Sequence, residues 1–405
     1  MNILHVTPYY WPAVRYGGPI FSVAGLCRAL AARGHAVQVY TTAVDGRGNS
    51  PVRLEEITEV DGVQVRYFPS NILRRLFWSP RMQHALQRNI EQFDIVHLHT
   101  VFVWPVYAAA MAAQRAGVPY LLAPRGMLEQ ELIRRKSRLV KSLWIRLYGK
   151  KILAGAAALQ VTSQREADKI RELHLDIPRL VTVPNGIDLA ALPDFSDVQN
   201  AGACETQQWG KKGYVLFLGR INWKKGLDRL IAAWSYGVDL PLILAGNDEE
   251  KYTAELQDLA AAQGVQEKIH FIGPVTGPEK WQLYSNAELL VLPSYSENFG
   301  NVVLEAMAAG CPVLVTPEVG LADAVIRYDA GLVVEGKPEK LAAAVQQLLA
   351  DKAALQQMCR QGRLAAQEHF SWPAIGKRME KVYLELLDNG RRRPNNTAGS
   401  AGSVR

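Results

Sequence analysis

Short apolar runs alternate with amphipathic stretches along most of the chain. This alternation predicts strands separated by helices, and therefore parallel sheets covered on both faces. In the first half, the apolar runs predict strands over 3–7, 36–40, 63–68, 95–99, 120–123, 158–162 and 180–183. The stretches between them predict helices over 19–33, 81–91 and 105–116, and a long basic helix over about 128–153.

The pattern stops near residue 188 and restarts at 213. The residues between are polar, contain glycine and lack apolar periodicity, which is typical of an interdomain connection. The second half predicts strands over 213–219, 241–245, 270–272, 288–292, 312–316 and 331–334. Helices are predicted after Lys225, over about 300–310, around Gln346, over 353–368 and over 373–388.

Composition narrows the class of protein and its partners. A chain of 405 residues with 48% hydrophobic content predicts two or three globular domains. No apolar run is long enough to span a membrane, and the first residues lack a signal-peptide pattern. Four scattered cysteines favour a reducing cytoplasm. The net charge of +7 favours anionic partners, among which nucleic acid ranks last because no RNA-binding or zinc signature accompanies the charge.

Residues 291–310 form the most informative stretch, a predicted strand followed by a loop and a helix. Glu297 lies in the loop and Glu305 in the second turn of the helix, with seven residues between them. The helix start near Gly300 leaves backbone N–H groups unpaired, which suits a diphosphate. By spacing alone, two solvated glutamates are the commoner outcome.

Other candidate residues follow predicted strands, where ligands bind in open α/β sheets. Arg220 and Lys225 could stabilise a departing diphosphate, or could belong to an ordinary basic loop. Gly17 and Gly18 permit close backbone approach to a phosphate, or simply a tight turn. The histidines at 97 and 99 share a strand face, but no third ligand is identifiable nearby, which disfavours zinc.

The sequence of residues 296–313 closely resembles the Glu-x7-Glu signature of the retaining glycosyltransferases of family 4, also called group 1. The resemblance implies the GT-B fold, in which two Rossmann-like domains face each other across a donor cleft. Glu297 would contact the donor sugar and Glu305 the ribose. Arg220 and Lys225 would hold the phosphates, because they match the Gly-Arg…Lys-Gly motif of this family.

The resemblance also assigns further residues and boundaries. His99 would lie near the donor sugar with His97 structural, and Arg125 would lie on the acceptor side. The remaining donor contacts would come from Gly17, Gly18, Gly273, Pro274, Val275, Asn298, Phe299, Gly300 and Asn301. The expected division is an acceptor domain 1–190, a linker 191–212, a donor domain 213–371, a helix 372–389 returning to the first domain and a disordered tail 390–405.

The expected reaction is transfer of a hexose from a nucleoside diphosphate sugar to a glycan hydroxyl in polysaccharide biosynthesis, with retention. UDP is favoured on family frequency, and GDP-mannose is the alternative. Because no Asp-x-Asp pair occurs, no metal-bridged diphosphate is expected, and no cofactor is expected. A GT-B epimerase or phosphorylase, or a non-catalytic sugar-nucleotide-binding protein, remains an alternative; a dehydrogenase is disfavoured because the Gly-x-Gly-x-x-Gly fingerprint is absent.

A basic stretch in the first half bears on the acceptor. Residues 131–151 contain eight cations and one acid, and Arg134, Arg138 and Lys141 would share one helix face. Arg74 and Arg75 add a second basic cluster beside aromatic residues. This surface could be solvated, or could rest on the cytoplasmic face of an anionic membrane and meet a lipid-linked acceptor. The two interpretations stay open.

Overall fold

The computed structural model describes residues 1–128, 144, 148–193 and 213–391. These residues form two compact units. The first contains Met1–Val161, Ala167–Val183 and the chain from Gly376, and the second contains Thr162–Glu166 and Pro184–Ile375. Most of the predicted basic helix, most of the predicted linker and nearly all of the predicted tail lie outside the described residues.

The first unit is built on an eight-stranded sheet in the order β10-β9-β8-β7-β1-β2-β6-β5. Seven strands are parallel, as their largely buried and apolar character predicts. The edge strand β5 runs antiparallel to β6, which the sequence did not predict because β5 is half exposed and only weakly apolar. The strands are β1 Asn2–Val6, β2 Ala36–Thr42, β5 Ile57–Val60, β6 Val63–Phe68, β7 Ile95–His99, β8 Tyr120–Ala123, β9 Ala158–Val161 and β10 Leu180–Thr182, with a hairpin of β3 Val44–Asp45 and β4 Gly48–Asn49.

Helices connect these strands and cover the sheet. Their apolar faces enclose a core in which β7, β8 and β9 are wholly buried. In chain order the helices are α1 Gly18–Ala31, α2 Pro80–Asn89, α3 Trp104–Ala116, α4 Lys150–Ala154 and α5 Gln164–Arg171, the last of which belongs to this unit from Ala167 onward. The last helix in the described residues, α13 Trp372–Arg391, belongs to this unit from Gly376 onward.

The second unit has a six-stranded, wholly parallel sheet in the order β13-β12-β11-β14-β15-β16. Its core is separate from that of the first unit. The strands are β11 Val215–Leu218, β12 Leu242–Ala245, β13 Ile269–Gly273, β14 Leu289–Leu292, β15 Val313–Val315 and β16 Gly331–Val333. The helices are α6 Leu227–Trp234, α7 Thr253–Ala262, α8 Gly277–Asn286, α9 Asn301–Ala309, α10 Ala322–Arg327, α11 Pro338–Ala350 and α12 Lys352–His369.

Short 3-10 turns complete the described structure, at Val14–Tyr16, Arg74–Leu76, Ile90–Gln92, Leu189–Ala191, Trp223–Lys225 and Gln266–Lys268. None of the helices in the described residues is long and apolar enough to cross a bilayer.

The strand orders identify one position in each sheet where a ligand is expected. In the first sheet the chain builds outward from β1 on one side and from β7 on the other. In the second it does the same from β11 and β14. Ligands in open α/β sheets bind beyond the carboxyl ends of the strands at such switch points. The sites are therefore expected after β1 and β7, and after β11 and β14.

Candidate functional site

The loop after β11 carries the predicted cations of the second unit. It turns through Gly219 and the 3-10 turn Trp223–Lys225, and ends at Gly226, whose φ of 65° is left-handed. A side chain at Gly226 would also collide with the backbone of Pro293, so this position requires glycine. The turn leaves Arg220 exposed and Lys225 largely buried at the carboxyl edge of the sheet.

The loop after β14 brings Glu297 to the same switch point. The ammonium group of Lys225 contacts the Glu297 carboxylate, and the two side chains are only 14% and 20% exposed. The two loops are joined a second time, because the Tyr295 N–H donates to the Lys224 carbonyl at 2.7 Å. The structure therefore places an expected phosphate ligand, Lys225, and an expected sugar ligand, Glu297, in direct contact.

Helix α9 begins at the end of this loop. Gly300 precedes it with a φ of 93°, which favours glycine. No side chain caps the helix start, and the Val303 N–H donates to the Gly300 carbonyl at 2.9 Å, so the N–H groups of Asn301 and Val302 remain available to an anion. Asn298 donates to the Thr162 hydroxyl at 3.0 Å, and Asn301 accepts from the Asn185 amide at 3.0 Å. The Phe299 side chain is 3% exposed and belongs to the core, so only its backbone could reach a ligand.

Glu305 lies in the second turn of α9, as the sequence predicted, and has two partners that the sequence did not identify. Lys280 Nζ lies 3.0 Å from Glu305 Oε1, and the Tyr284 hydroxyl donates to Oε2 at 2.9 Å. Burial raises the pKa of Tyr284 well above its ordinary value, which keeps the hydroxyl protonated as a donor. These two residues of α8 hold the Glu305 carboxylate in one orientation.

The predicted base contacts follow β13. Gly273 has a left-handed φ of 76°, and its carbonyl accepts from the Gly246 N–H at 2.8 Å. Pro274 is exposed and Val275 half buried at the same carboxyl edge. These residues can offer backbone groups to a ligand, because their side chains carry no polar atom.

Three buried histidines occupy the switch point of the first unit. His5 pairs with His97 across β1 and β7, and His99 ends β7. His5 Nδ1 lies 2.9 Å from His99 Nε2, and Arg125 Nη2 lies 3.3 Å from His99 Nδ1. The Tyr383 hydroxyl, on α13, lies 2.7 Å from His97 Nδ1. All three histidines are fully buried, whereas Arg125 is half exposed.

The bonding pattern fixes the tautomers of this cluster. A guanidinium group can only donate, so His99 Nδ1 must accept from Arg125 and the proton of His99 lies on Nε2. That proton is donated to His5 Nδ1, which leaves the proton of His5 on Nε2. Burial, together with the charge of Arg125, lowers the pKa of His5 to about 3 and the pKa of His99 well below its ordinary value. Both residues are therefore neutral at pH 7.

His5 is also a third histidine beside His97 and His99, which the spacing of the sequence did not predict. The ligand nitrogens of the three residues lie within 4.8 Å of one another. However, Arg125, Tyr383 and the bond between His5 and His99 engage four of the six ring nitrogens. A metal ion bound by all three histidines would have to break at least one of the two bonds of His99 and would lie next to the Arg125 cation, so this arrangement suits a hydrogen-bonded chain better.

The predicted glycines of the first unit precede α1. Gly17 has a left-handed φ of 72°, and nothing lies within 4 Å of where a side chain would begin. Backbone conformation, not packing, therefore favours glycine here. Gly18 is the first residue of α1 and Pro19 the second, which is a common arrangement at a helix start.

Two family models match most of the chain. The model described as "Glycosyl transferase 4-like domain" matches residues 17–186, and the model described as "Glycosyl transferases group 1" matches residues 205–365. The second match contains Arg220, Lys225, Glu297 and Glu305. The first contains Arg125 and the histidines of β7.

Individual proteins resemble the chain over nearly its whole length. The D-inositol 3-phosphate glycosyltransferase of Jonesia denitrificans is 28% identical, over 95% of this chain and 95% of its own length. Sucrose-phosphate synthase from Thermosynechococcus elongatus superimposes with a TM-score of 0.73 at 21% identity, over 96% of this chain and 100% of its own. The Anabaena protein HepE, solved in complex with UDP-glucose, superimposes with a TM-score of 0.71 at 19% identity, over 95% of this chain and 100% of its own. The two solved structures establish a shared fold.

Proposed function

The chain belongs to the group 1 glycosyltransferases and has their GT-B fold, and we propose that it transfers a hexose from a nucleoside diphosphate sugar to a glycan hydroxyl with retention of configuration. The observation that carries the proposal is the ion pair of Lys225 and Glu297 at the switch point of the second unit, beside the start of α9. One short region thus offers a phosphate-binding cation, a sugar-binding carboxylate and free helix N–H groups.

The leaving diphosphate is stabilised by protein groups in this proposal. Departure of the sugar concentrates negative charge on the diphosphate, and Arg220, Lys225 and the α9 N-terminus supply positive charge and N–H donors there. The sequence contains no Asp-x-Asp pair, which supports transfer without a metal ion. Arg220 is exposed and pairs with no carboxylate among the described residues, so it is available to the ligand.

The two glutamates divide the donor between them. Glu297 accepts hydrogen bonds from sugar hydroxyls, and Glu305 accepts from the ribose. Lys280 and Tyr284 support this role of Glu305, because they fix its carboxylate before the ligand arrives and so reduce the ordering cost of binding. Backbone groups of Gly273–Val275 receive the base. UDP is the favoured nucleotide; HepE, with the same fold, binds UDP-glucose.

In the first unit, Arg125 and His99 contribute as a pair. Neutral His99 accepts from Arg125 and thereby orients the guanidinium group, which is the half-exposed member of the cluster. We assign Arg125 to the acceptor side and His99 to the donor-sugar side of the reaction. The front-face displacement expected for this family needs no covalent nucleophile.

The acceptor in this proposal is a lipid-linked glycan reached from an anionic membrane surface. Arg134, Arg138 and Lys141 lie outside the described residues, but a second apolar and basic segment lies within them. Ile72 and Leu73 are 64% and 58% exposed next to Arg75. Sedimentation with phosphatidylglycerol vesicles tests this: Ile72→Glu with Arg75→Glu should reduce the fraction bound, whereas exposed Arg115→Glu should not. Equal binding of all three proteins would remove this segment from the proposal.

Donor hydrolysis monitored by NMR tests the reaction itself. Incubation with UDP-glucose, GDP-mannose and ADP-glucose should release the sugar from one donor, with the α anomer appearing first because retention preserves the donor configuration. Release of the β anomer first would indicate inversion. If the nucleotide bound tightly but neither donor hydrolysis nor transfer to any acceptor occurred, a non-catalytic sugar-nucleotide-binding protein would be favoured.

A further inference from the structure

A pocket of about 620 Å³ lies in the first unit between α2 and β6, away from the histidine cluster. Its volume falls within the range of roughly 300–1,000 Å³ that is usual for small-molecule sites. Phe68 and Ala85 form an apolar floor. Arg66 comes from the strand, and Arg81, His84 and Arg88 come from the helix.

The helix presents its basic residues to the pocket on one face. Arg81, His84 and Arg88 follow one another at spacings of three and four, so their side chains lie along the same side of α2. All three are exposed at the surface. In the described part of the chain, neither His84 nor Arg88 forms an ion pair.

Glu55 organises the other two arginines, and its backbone conformation is unusual. Its φ of 65° lies in the left-handed region, which disfavours a residue with a side chain. The strained residue is held because its N–H donates to the Tyr67 carbonyl at 2.7 Å, its carbonyl accepts from Arg66 Nε at 2.9 Å and its carboxylate pairs with Arg81 at 2.7 Å. The guanidinium of Arg66 also lies 5.3 Å from the centre of the Phe68 ring.

Charge decides what such a pocket would bind. Three guanidinium groups face one carboxylate, which leaves a surplus of two positive charges before His84 is counted. Glu55 engages Arg66 only through a carbonyl and a single Nε, so the two terminal nitrogens of Arg66 can still donate to a ligand. A guanidinium fork over an apolar floor suits a phosphate or carboxylate attached to an organic body.

We propose that this pocket binds the anionic group, a phosphate or a carboxylate, of the glycosyl acceptor. The proposal rests on the proposed function, because it assumes that the first unit holds the acceptor. Arg66 and Phe68 lie at the carboxyl end of β6, and β6 is separated from β7 by β2 and β1 in the sheet. Three inter-strand spacings correspond to roughly 14 Å between the pocket strand and the His99 strand.

This separation specifies the kind of acceptor. A ligand whose anion lies in the pocket and whose reacting hydroxyl lies near Arg125 must extend along the carboxyl edge of the sheet. A single small sugar cannot reach both positions, whereas an oligosaccharide bearing a phosphate or an acidic sugar can. The pocket therefore selects acceptors by a charge that lies away from the reacting hydroxyl.

Arginine modification with phenylglyoxal tests the pocket on the whole protein, with peptide mass spectrometry to follow each arginine. The charged probes are glycerol 3-phosphate and glucuronate, and their uncharged counterparts are glycerol and glucose. Arg115 is exposed on α3 and serves as the control position. At ten times its Kd, a charged probe should slow modification of Arg66 and Arg88 about tenfold and leave Arg115 unchanged.

The outcomes separate the alternatives. If only glycerol 3-phosphate protects Arg66 and Arg88 from modification, the anionic group of the ligand is a phosphate. If only glucuronate protects them, it is a carboxylate. In Arg88→Gln, protection of Arg66 should be lost. Unchanged rates at Arg66 and Arg88, or equal protection of Arg115, would overturn the proposal. Donor hydrolysis by the wild-type protein is measured separately, so its absence would refute the proposed function while the protection result still reports on the pocket.

Discussion

Lys225 and Glu297, 72 positions apart in the sequence, form an ion pair between the loops that follow β11 and β14. Each side chain is the charged partner of the other in the structure. In the proposed reaction, a donor phosphate would offer Lys225 a competing anion, and the sugar hydroxyls would offer Glu297 competing donors. Binding of the donor would therefore exchange one charge pair for two sets of charge-assisted hydrogen bonds.

The first prediction concerns this lysine. Lys225→Ala should lower kcat/KM for the donor roughly tenfold to more than a hundredfold, because a charge-assisted hydrogen bond to the ligand contributes about 1.5–3 kcal/mol. Lys224→Ala is the matched control, since it removes the neighbouring ammonium group from the same turn. Steady-state kinetics with the preferred donor make the comparison. An equal loss in both variants would point to a general effect of charge, not to a phosphate contact at Lys225.

The second prediction concerns metal ions. Because Arg220, Lys225 and the α9 N-terminus supply the positive charge in this account, donor turnover should persist after treatment with EDTA. The measurement is the hydrolysis rate before and after chelation, and again after addition of manganese. Activity that is abolished by EDTA and restored by manganese would contradict protein-only stabilisation of the leaving group.

The third prediction is a loss of stability in acid from the three buried histidines. Burial lowers the pKa of His5 to about 3, and the pKa values of His97 and His99 also fall well below 6.5. Below pH 6.5 the unfolded chain binds protons that the folded chain does not, so stability present above pH 6.5 is lost as the pH falls. Each histidine should cost about 1.4 kcal/mol between pH 7.5 and 5.5.

Thermal unfolding at the two pH values measures this effect. The apparent Tm should fall on acidification, and it should fall by less in His5→Leu, which has one buried histidine fewer. The His5→Leu protein should also be less stable at pH 7.5, because it leaves the Nε2 proton of His99 without its acceptor. An unchanged pH dependence in this variant would mean that His5 is not held neutral by the fold.

The fourth prediction tests the chain from Arg125 through His99 to His5. His5→Leu should lower kcat roughly fivefold or more, because a buried donor without its partner costs about 1–3 kcal/mol and releases the orientation of His99. His5→Gln keeps an acceptor at this position and should recover part of kcat. KM for the donor should change little in either variant. If His5→Leu and His5→Gln had the same kcat, the side chain of His5 would contribute only packing.

The sequence predicted the parts of the fold that depend on local burial. Strands such as Ile95–His99 and Tyr120–Ala123 have the predicted bounds, because buried parallel strands appear as short, mostly apolar runs. The edge strand Ile57–Val60 was not predicted, since it is half exposed and has no such run. The GT-B fold was predicted from the resemblance of the sequence motifs to a known family, and the family models and the solved structures confirm it.

The partners of the site residues depend on pairings that sequence spacing does not contain. His5 lies 94 positions from His99 and meets it only because β1 and β7 are neighbours in the sheet. Lys280 and Tyr284 reach Glu305 because α8 packs against α9, and helix α8 was not predicted. The motif identified Glu305, but the residues that orient its carboxylate could be identified only from the tertiary structure.

The central claim is that the second unit binds the nucleotide of the donor through Glu305 and the residues around it. Calorimetric titration with UDP, GDP and ADP tests this claim most directly, first on the wild-type protein and then on Glu305→Ala. Loss of a charge-assisted hydrogen bond should weaken binding of the preferred nucleotide by about 1.5–3 kcal/mol, or roughly tenfold to more than a hundredfold in Kd. An unchanged Kd for that nucleotide in Glu305→Ala would contradict the account.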